Sequence, residues 1–259
     1  MNLSKAYRLA ATGLLAVGLL AVVLLSGPAL AQNVSIDLGG DGEGSTTARI
    51  IQLVALLTVL SVAPSILVMV TSFTRIVVVL SFLRTAIGTQ QAPPNMVMIS
   101  LALFLTAFVM APTMERAYEE GIAPLIAEQI DEEQAFTRTV APFRDFMLRH
   151  VREKDLELFV NLSRTEPIAA PAETPLQVLV PAFMISELRR AFEIGFLLFV
   201  PFLVIDLVVA SVLMSMGMMM LPPVVVSLPF KLIFFVLVDG WRLVAGSLVE
   251  SFQRGTGGG

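Results

Sequence analysis

Long apolar runs without charge are the feature that most limits what this chain can fold into. Between Arg84 and Glu115 there is no ionisable side chain. About 20 apolar residues in a helix are enough to cross the roughly 30 Å hydrocarbon core of a bilayer. Only 15% of all residues are charged and 56% are hydrophobic, whereas soluble domains are about 25% charged. The sequence therefore predicts an all-α integral membrane protein.

Four apolar segments account for these runs. They are Ile50–Phe82, Met96–Met114, Gly195–Met214 and Val224–Leu248. The first would reach roughly 50 Å as one helix, which is too long for a simple span. Pro64 or the polar group 71–75 can bend or break it. We expect two membrane hairpins, residues 48–114 and 194–250, and prolines in the later segments also allow partly broken or re-entrant helices.

The stretch between the two hairpins, residues 115–193, carries most of the charged side chains. Its helical periodicity predicts a mainly helical insert, which we place outside the cytoplasm. Arg75 and Arg84 flank the turn of the first hairpin, and this favours a cytoplasmic position for that turn. The lone histidine, His150, has charged neighbours and is expected to point into solvent.

Composition also limits the chemistry. One histidine and no cysteine leave little material for a metal site or a nucleophilic triad, so we predict no enzyme, no cofactor and no metal. The net charge of -4 argues against nucleic-acid binding. There is no GxxxxGK[ST] nucleotide loop, so the chain cannot itself supply ATP-driven force.

The N-terminus has the form of a secretory signal peptide. Lys5 and Arg8 form a short basic region, and Leu9–Leu25 is an apolar run without charge. An A-x-A motif follows at Ala29–Ala31. We predict a signal peptide over residues 1–31, cleaved between Ala31 and Gln32. An uncleaved N-terminal anchor is the alternative. Residues 32–47 then form a flexible extracytoplasmic leader, and residues 251–259 a flexible tail.

Ionisable residues also occur within or beside the apolar segments. Asp206 lies about half-way along the third segment, Lys231 lies in the fourth, and Glu187 precedes the third. Such charges are costly at membrane depth and usually face a bundle interior, a partner or a watery path. Long side chains can snorkel to the interface, but the short side chain of Asp206 cannot. Either Asp206 or Glu193 could pair with Lys231, and the residues alone leave this open.

A cluster of methionines separates the third and fourth segments. Five of the 13 methionines lie within residues 214–220, which are followed by a double proline. Methionine is flexible and polarisable, so a cluster of it can re-pack around different partners. Between two membrane-length segments it suggests a soft constriction. The alternative is gap-filling at a helix end.

Three stretches of the chain resemble the FliP family of type III export-gate proteins. They are residues 73–84 (FTRIVVVLSFLR), 90–95 (QQAPPN) and 228–241 (LPFKLIFFVLVDGW). The resemblance implies a core subunit of the flagellar export gate in the bacterial inner membrane. It implies a ring of several copies with FliQ- and FliR-like proteins, FlhA/FlhB-like export components as further partners, and unfolded flagellar proteins as cargo.

The same resemblance assigns roles to particular residues. Met216, Met218, Met219 and Met220 match a loop that forms a gasket around the export path. Glu187 and Lys231 match an ion pair that joins neighbouring subunits. A virulence-type (injectisome) export gate is the alternative within the family, and the predicted signal peptide and the long charged insert favour the flagellar branch. A small secondary transporter is less favoured, because the four segments show no internal repeat.

Overall fold

The computed structural model describes residues 43–89, 91–163, 174–218 and 220–253. The chain divides into two compact units, of which the first ends at residue 57 and the second begins at residue 58. The predicted signal peptide 1–31, the cleavage site at Ala31 and Gln32, and most of the predicted leader and tail lie outside the described residues.

All regular structure in the described ranges is helical, which confirms the predicted fold class. The elements are α1 Glu43–Met69, α2 Phe73–Ile87, α3 Asn95–Ala117, a π-helical turn Tyr118–Ile122, α4 Ala123–Ile126, α5 Glu132–His150, α6 Glu153–Ser163, α7 Leu176–Ser215, α8 Pro223–Leu237 and α9 Gly240–Gln253.

Helix α1 has no buried face along Ile50–Met69. It contains Pro64 without ending there. The apolar run instead breaks at residues 70–72, where the Thr71 hydroxyl accepts a hydrogen bond from the Phe73 N–H at 3.4 Å. A helix that is apolar all round needs lipid or another protein to cover it.

The core is centred on the packing of α2 along α7. Buried residues of α2 fall at helical spacing on one face: Ile76, Val79, Leu80 and Leu83. They meet a face of α7 that contains Leu179, Ala182 and Phe183, all fully buried. Burying each large apolar side chain contributes about 1.5–3 kcal/mol, so this pair of helices is the rigid scaffold of the unit.

Helix α7 is longer than the third apolar segment suggests. Its 40 residues reach about 60 Å, and it begins at Leu176 rather than near Gly195. The charged residues that we expected to end the insert lie along this helix, where Arg189 Nε donates to Glu193 Oε1 at 3.0 Å. Such i,i+4 pairs support a helix, so the predicted boundary at 193/194 does not coincide with the end of an element.

Three helical stretches are long and apolar enough to cross a membrane: Ile50–Met69, Asn95–Ile126 and Leu176–Ser215. Helices α8 and α9 pass the same test together but are bent by 63°. At the bend Asp239 has a φ of +51°. A Cβ on the next residue, Gly240, would lie 2.1 Å from the ring of Phe235, so only glycine fits this close turn. The predicted set of about four apolar segments, partly broken, agrees with this arrangement.

The described part of the charged insert is helical. At the start of α5 the Asp131 carboxylate accepts a hydrogen bond from the Gln134 N–H at 2.8 Å, and Glu132 and Glu133 follow in the first turn. An acidic N-cap and first turn satisfy free N–H groups and favour the positive end of the helix dipole. The other end of α5 reaches the core through Phe146 and Met147.

Candidate functional site

A buried ion pair joins the two scaffold helices. Arg75 on α2 donates from Nε to Glu187 Oε2 on α7 at 2.8 Å, and its Nη2 donates to Oε1. The two side chains are 1% and 0% exposed. The planar guanidinium matches the carboxylate with two parallel bonds, and removing one partner of such a buried pair costs about 3–5 kcal/mol.

Arg75 also holds the end of the C-terminal helix. Its Nη1 donates to the Ser251 hydroxyl at 3.0 Å and to the Ser251 carbonyl at 3.4 Å. The guanidinium carbon lies 3.7 Å from the centre of the Phe252 ring. The last carbonyl groups of a helix have no partner within it and favour a cation. One buried arginine therefore connects α2, α7 and α9.

His150 lies on the other side of the same helix end. Its ring nitrogens are 2.7 Å from the Phe146 carbonyl oxygen and 3.2 Å from that of Phe252. The residue is 5% exposed, so the prediction that it points into solvent is wrong. The reason is helical spacing: His150 follows Phe146 by one turn and shares its buried face, whereas the adjacent Arg149 on the same helix is exposed.

A second ion pair joins α8 to α7. Lys231 Nζ lies 2.6 Å from Asp206 Oδ2 and donates to the Ala86 carbonyl at 3.1 Å. The Ser227 hydroxyl donates to Asp206 Oδ1 at 2.5 Å. The Lys231 side chain is 4% exposed and that of Asp206 is 31% exposed. Ala86 is in the last turn of α2. Lys231 therefore both neutralises Asp206 and caps the C-terminal end of α2.

Within the chain, the predicted residues Glu187 and Lys231 have different partners. Glu187 pairs with Arg75, and Lys231 pairs with Asp206, which is one of the two acids that the residues alone left open. A Glu187–Lys231 pair across a subunit boundary stays a prediction, and it has to compete with both intrachain pairs. Arg75 was missed as a partner because it was assigned to the flank of a turn. The rule that identified Asp206, a charge inside an apolar run, applies equally to Arg75.

The methionine turn begins at the end of α7. Met216 is the C-cap, and Gly217 follows with a φ of +75°. The Met218 N–H returns to the Leu213 carbonyl at 3.0 Å. This self-contained cap needs the left-handed conformation that glycine adopts readily. A Cβ on Gly217 would meet nothing within 4 Å, so the glycine is required by conformation and not by space.

The methionines of this turn are exposed. Met216, Met218 and Met220 are 62%, 44% and 98% exposed, and Met219 lies outside the described residues. In contrast Met98, Met110 and Met147 are at most 5% exposed. The three turn methionines therefore fill no gap within the chain, although methionine elsewhere in the chain does.

An apolar groove lies between the helices on either side of the turn. It has a volume of about 520 Å³ and lies between α7 and α8, where it is bordered by Val208, Val212, Val226 and Phe230 among others. All the side chains that line it are apolar. The turn thus joins two helices that leave an apolar groove between them close to it.

Apolar helices of membrane length, charge pairs between them and an exposed methionine turn define a helical membrane protein. Within the described residues no group of three or more His, Cys, Asp or Glu side chains could hold a metal ion. Residues 56–248 match the model of the FliP family, and the chain belongs to that family.

Several relatives cover nearly the whole chain. A flagellar biosynthetic protein FliP of Caulobacter vibrioides is 67% identical over 236 residues, which are 91% of this chain and 88% of the relative. The protein of the same name from Rhizobium meliloti is 53% identical over 88% of this chain and 94% of its own length. The one from Bacillus subtilis is 52% identical over 85% of this chain and all of its own length. The predicted family is confirmed.

Proposed function

We propose that this chain is a membrane-embedded core subunit of the flagellar type III protein export gate. The observation that carries the proposal is the family match over residues 56–248, joined to a helix of membrane length before the methionine turn and, after it, a bent pair of helices that is together long and apolar enough to cross a membrane. The matched relatives are named flagellar biosynthetic proteins, which favours flagellar export over a virulence-type gate. We place the protein in the inner membrane with several crossings.

The gate is an oligomer in this proposal. Several copies form a ring with FliQ- and FliR-like membrane proteins, and unfolded flagellar proteins pass through it on their way from FlhA/FlhB-like components. The support is the amount of apolar surface that the chain leaves uncovered. In the most apolar stretch of each of the three candidate spans, 0%, 28% and 11% of the residues are buried. Lipid would cover the outer part of this surface, and neighbouring subunits the remainder.

The methionine turn is the constriction. Turns from neighbouring copies would bring Met216, Met218 and Met220 together around the path, with Met219 adding a fourth thioether in the sequence. Unbranched, polarisable side chains close against hydrated ions because the surface they form is apolar. They also yield to a polypeptide with side chains of many sizes, because each methionine has three rotatable bonds. No catalytic step is needed from this subunit.

The turn can be pliable because the helices that carry it are fixed elsewhere. Helix α7 is held to α2 by the Arg75–Glu187 pair, and α8 is held to α7 and α2 by Lys231. In both anchors the basic side chain is at most 4% exposed and makes several hydrogen bonds. A soft turn on rigid supports can open and close without loss of the surrounding fold.

The test compares two triple variants of Met216, Met218 and Met220, expressed in a strain that lacks the native gene. Replacement by alanine shortens the side chains and should make the membrane leak small ions. Replacement by leucine keeps an apolar side chain of similar volume and should leak far less. Membrane conductance and swimming are the measurements, with membrane abundance of the protein as control. Equal conductance in wild type and the assembled alanine variant would refute the constriction.

A further inference from the structure

We propose that Met216, Met218 and Met220 form a peroxide-reactive modification site. Oxidation of these residues to methionine sulfoxide would convert the apolar turn into a polar one. The oxidation site itself follows from the exposure of the side chains. Its consequence for ion sealing rests on the proposed function, so the two are tested separately.

Exposure separates the methionines into groups. The three turn methionines are 44–98% exposed, whereas Met98, Met110 and Met147 are 0–5% exposed. Four further methionines are also exposed: Met69, Met96, Met114 and Met214. These lie inside the candidate spans Ile50–Met69, Asn95–Ile126 and Leu176–Ser215, where lipid would cover an outward side chain. The turn lies after the end of Leu176–Ser215 and before α8, so its methionines are outside any candidate span.

The chemistry is a two-electron oxidation that requires accessible sulfur. A lone pair of the thioether sulfur attacks one oxygen of hydrogen peroxide, and the O–O bond breaks. Sulfur gains that oxygen and is oxidised, the other oxygen leaves as hydroxide and becomes water after proton transfer, and no other reactant is needed. Thiol-dependent methionine sulfoxide reductases reverse the reaction. No acidic or basic side chain occurs within residues 214–222, so the turn's polarity depends on the state of its sulfur atoms.

The turn has room for the product. A sulfoxide adds one oxygen with strong hydrogen-bonding capacity, and it makes a flexible apolar side chain polar. The side chains of Met216, Met218 and Met220 are 62%, 44% and 98% exposed, so an added oxygen has room beside them. In a ring of copies every subunit would contribute three such groups, and the apolar seal would become a hydrated surface.

The first experiment tests the site alone. Membranes that contain the full-length protein are treated with hydrogen peroxide for increasing times, and sulfoxide formation is followed by peptide mass spectrometry. We expect Met216, Met218 and Met220 to oxidise at least about 10-fold faster than Met98, Met110 and Met147. Met69, Met96, Met114 and Met214 should be slow in membranes and faster after detergent extraction. Equal rates for turn and buried methionines would overturn the proposal, whatever the protein's function.

The second experiment tests the consequence. Peroxide should raise the ion conductance of membranes that carry the wild-type gate, and a methionine sulfoxide reductase with its thiol reductant should reverse the rise. A variant in which Met219 is replaced by leucine together with the other three turn methionines cannot form sulfoxide in the turn and should show no such rise. If selective oxidation occurs without any change in conductance, the modification site stands and the sealing role is refuted. If the leucine variant responds like wild type, the turn is not the peroxide-sensitive element.

Discussion

The buried Arg75–Glu187 pair gives the sharpest test of the fold. Replacing Glu187 by glutamine keeps the side-chain shape but leaves the guanidinium without its counter-charge. Both side chains are at most 1% exposed, so water cannot replace the lost carboxylate. The expected loss is about 3–5 kcal/mol in the free energy of unfolding, a large share of the about 5–15 kcal/mol that stabilises a typical protein.

The matched control is Glu193→Gln on the same helix. Glu193 also accepts a hydrogen bond from an arginine, Arg189, but these two side chains are 48% and 57% exposed. An exposed i,i+4 pair contributes about 0.3–0.5 kcal/mol. Denaturant unfolding of the purified protein in mixed micelles, followed by helical circular dichroism, should therefore separate the two variants clearly. A Glu187→Gln loss no larger than that of Glu193→Gln would refute the reasoning.

A charge exchange then distinguishes the intrachain pair from the predicted pair across a subunit boundary. If Glu187 serves Arg75, the double variant Arg75→Glu with Glu187→Arg should recover part of the stability that each single change removes. If Glu187 serves Lys231 of a neighbouring copy, Glu187→Lys with Lys231→Glu should instead recover assembly and swimming. Additive losses in one double variant exclude that pair, because contacting residues show coupling of about 0.5–3 kcal/mol.

Three further outcomes follow from the structure. Asp206→Asn should destabilise the protein more than Asp239→Asn. Asp206 pairs with Lys231, whose side chain is 4% exposed, whereas Asp239 and its partner Arg242 are both largely exposed. Denaturant unfolding measures the difference in the free energy of unfolding. Phe252→Ala should cost about 3–5 kcal/mol, because the ring packs against Arg75, Phe146 and His150, and faster proteolysis of α9 should accompany the loss. Mass spectrometry of the mature protein should find Gln32 at the N-terminus, and a chain that retains Met1 would contradict signal cleavage.

The sequence predicted the features that depend on local composition. Uncharged runs predicted apolar helices, the break expected at Pro64 or at the polar group 71–75 falls at residues 70–72, and the methionine cluster with its double proline marked the separation of the last two segments. The long helix α7 was cut short in the prediction, because Arg189 and Glu193 looked like the edge of an insert. Their exposed i,i+4 contact shows that charges can continue a helix as easily as end it.

The partners of the charged residues could not be predicted, because they depend on which helices pack together. Arg75 and Glu187 are far apart in the sequence, and several acids were equally plausible partners for Lys231. His150 could have been placed correctly, since Phe143, Phe146 and His150 share helical spacing. The charged neighbours of His150 suggested solvent, but on a helix the residues one turn away decide which side is buried.

The buried basic residues share one arrangement, and it explains why the turn differs from the rest of the molecule. Arg75 and His150 meet carbonyl groups in the last turn of α9, and Lys231 meets one in the last turn of α2. Free helix ends are costly where water is scarce, and these side chains satisfy them and tie neighbouring helices together. The end of α7 has no basic residue in its last turn and is capped by its own backbone. The last turn of α7 thus contributes no basic side chain that would tie it to a neighbouring helix, which suits the proposal of a pliable methionine turn on a fixed scaffold.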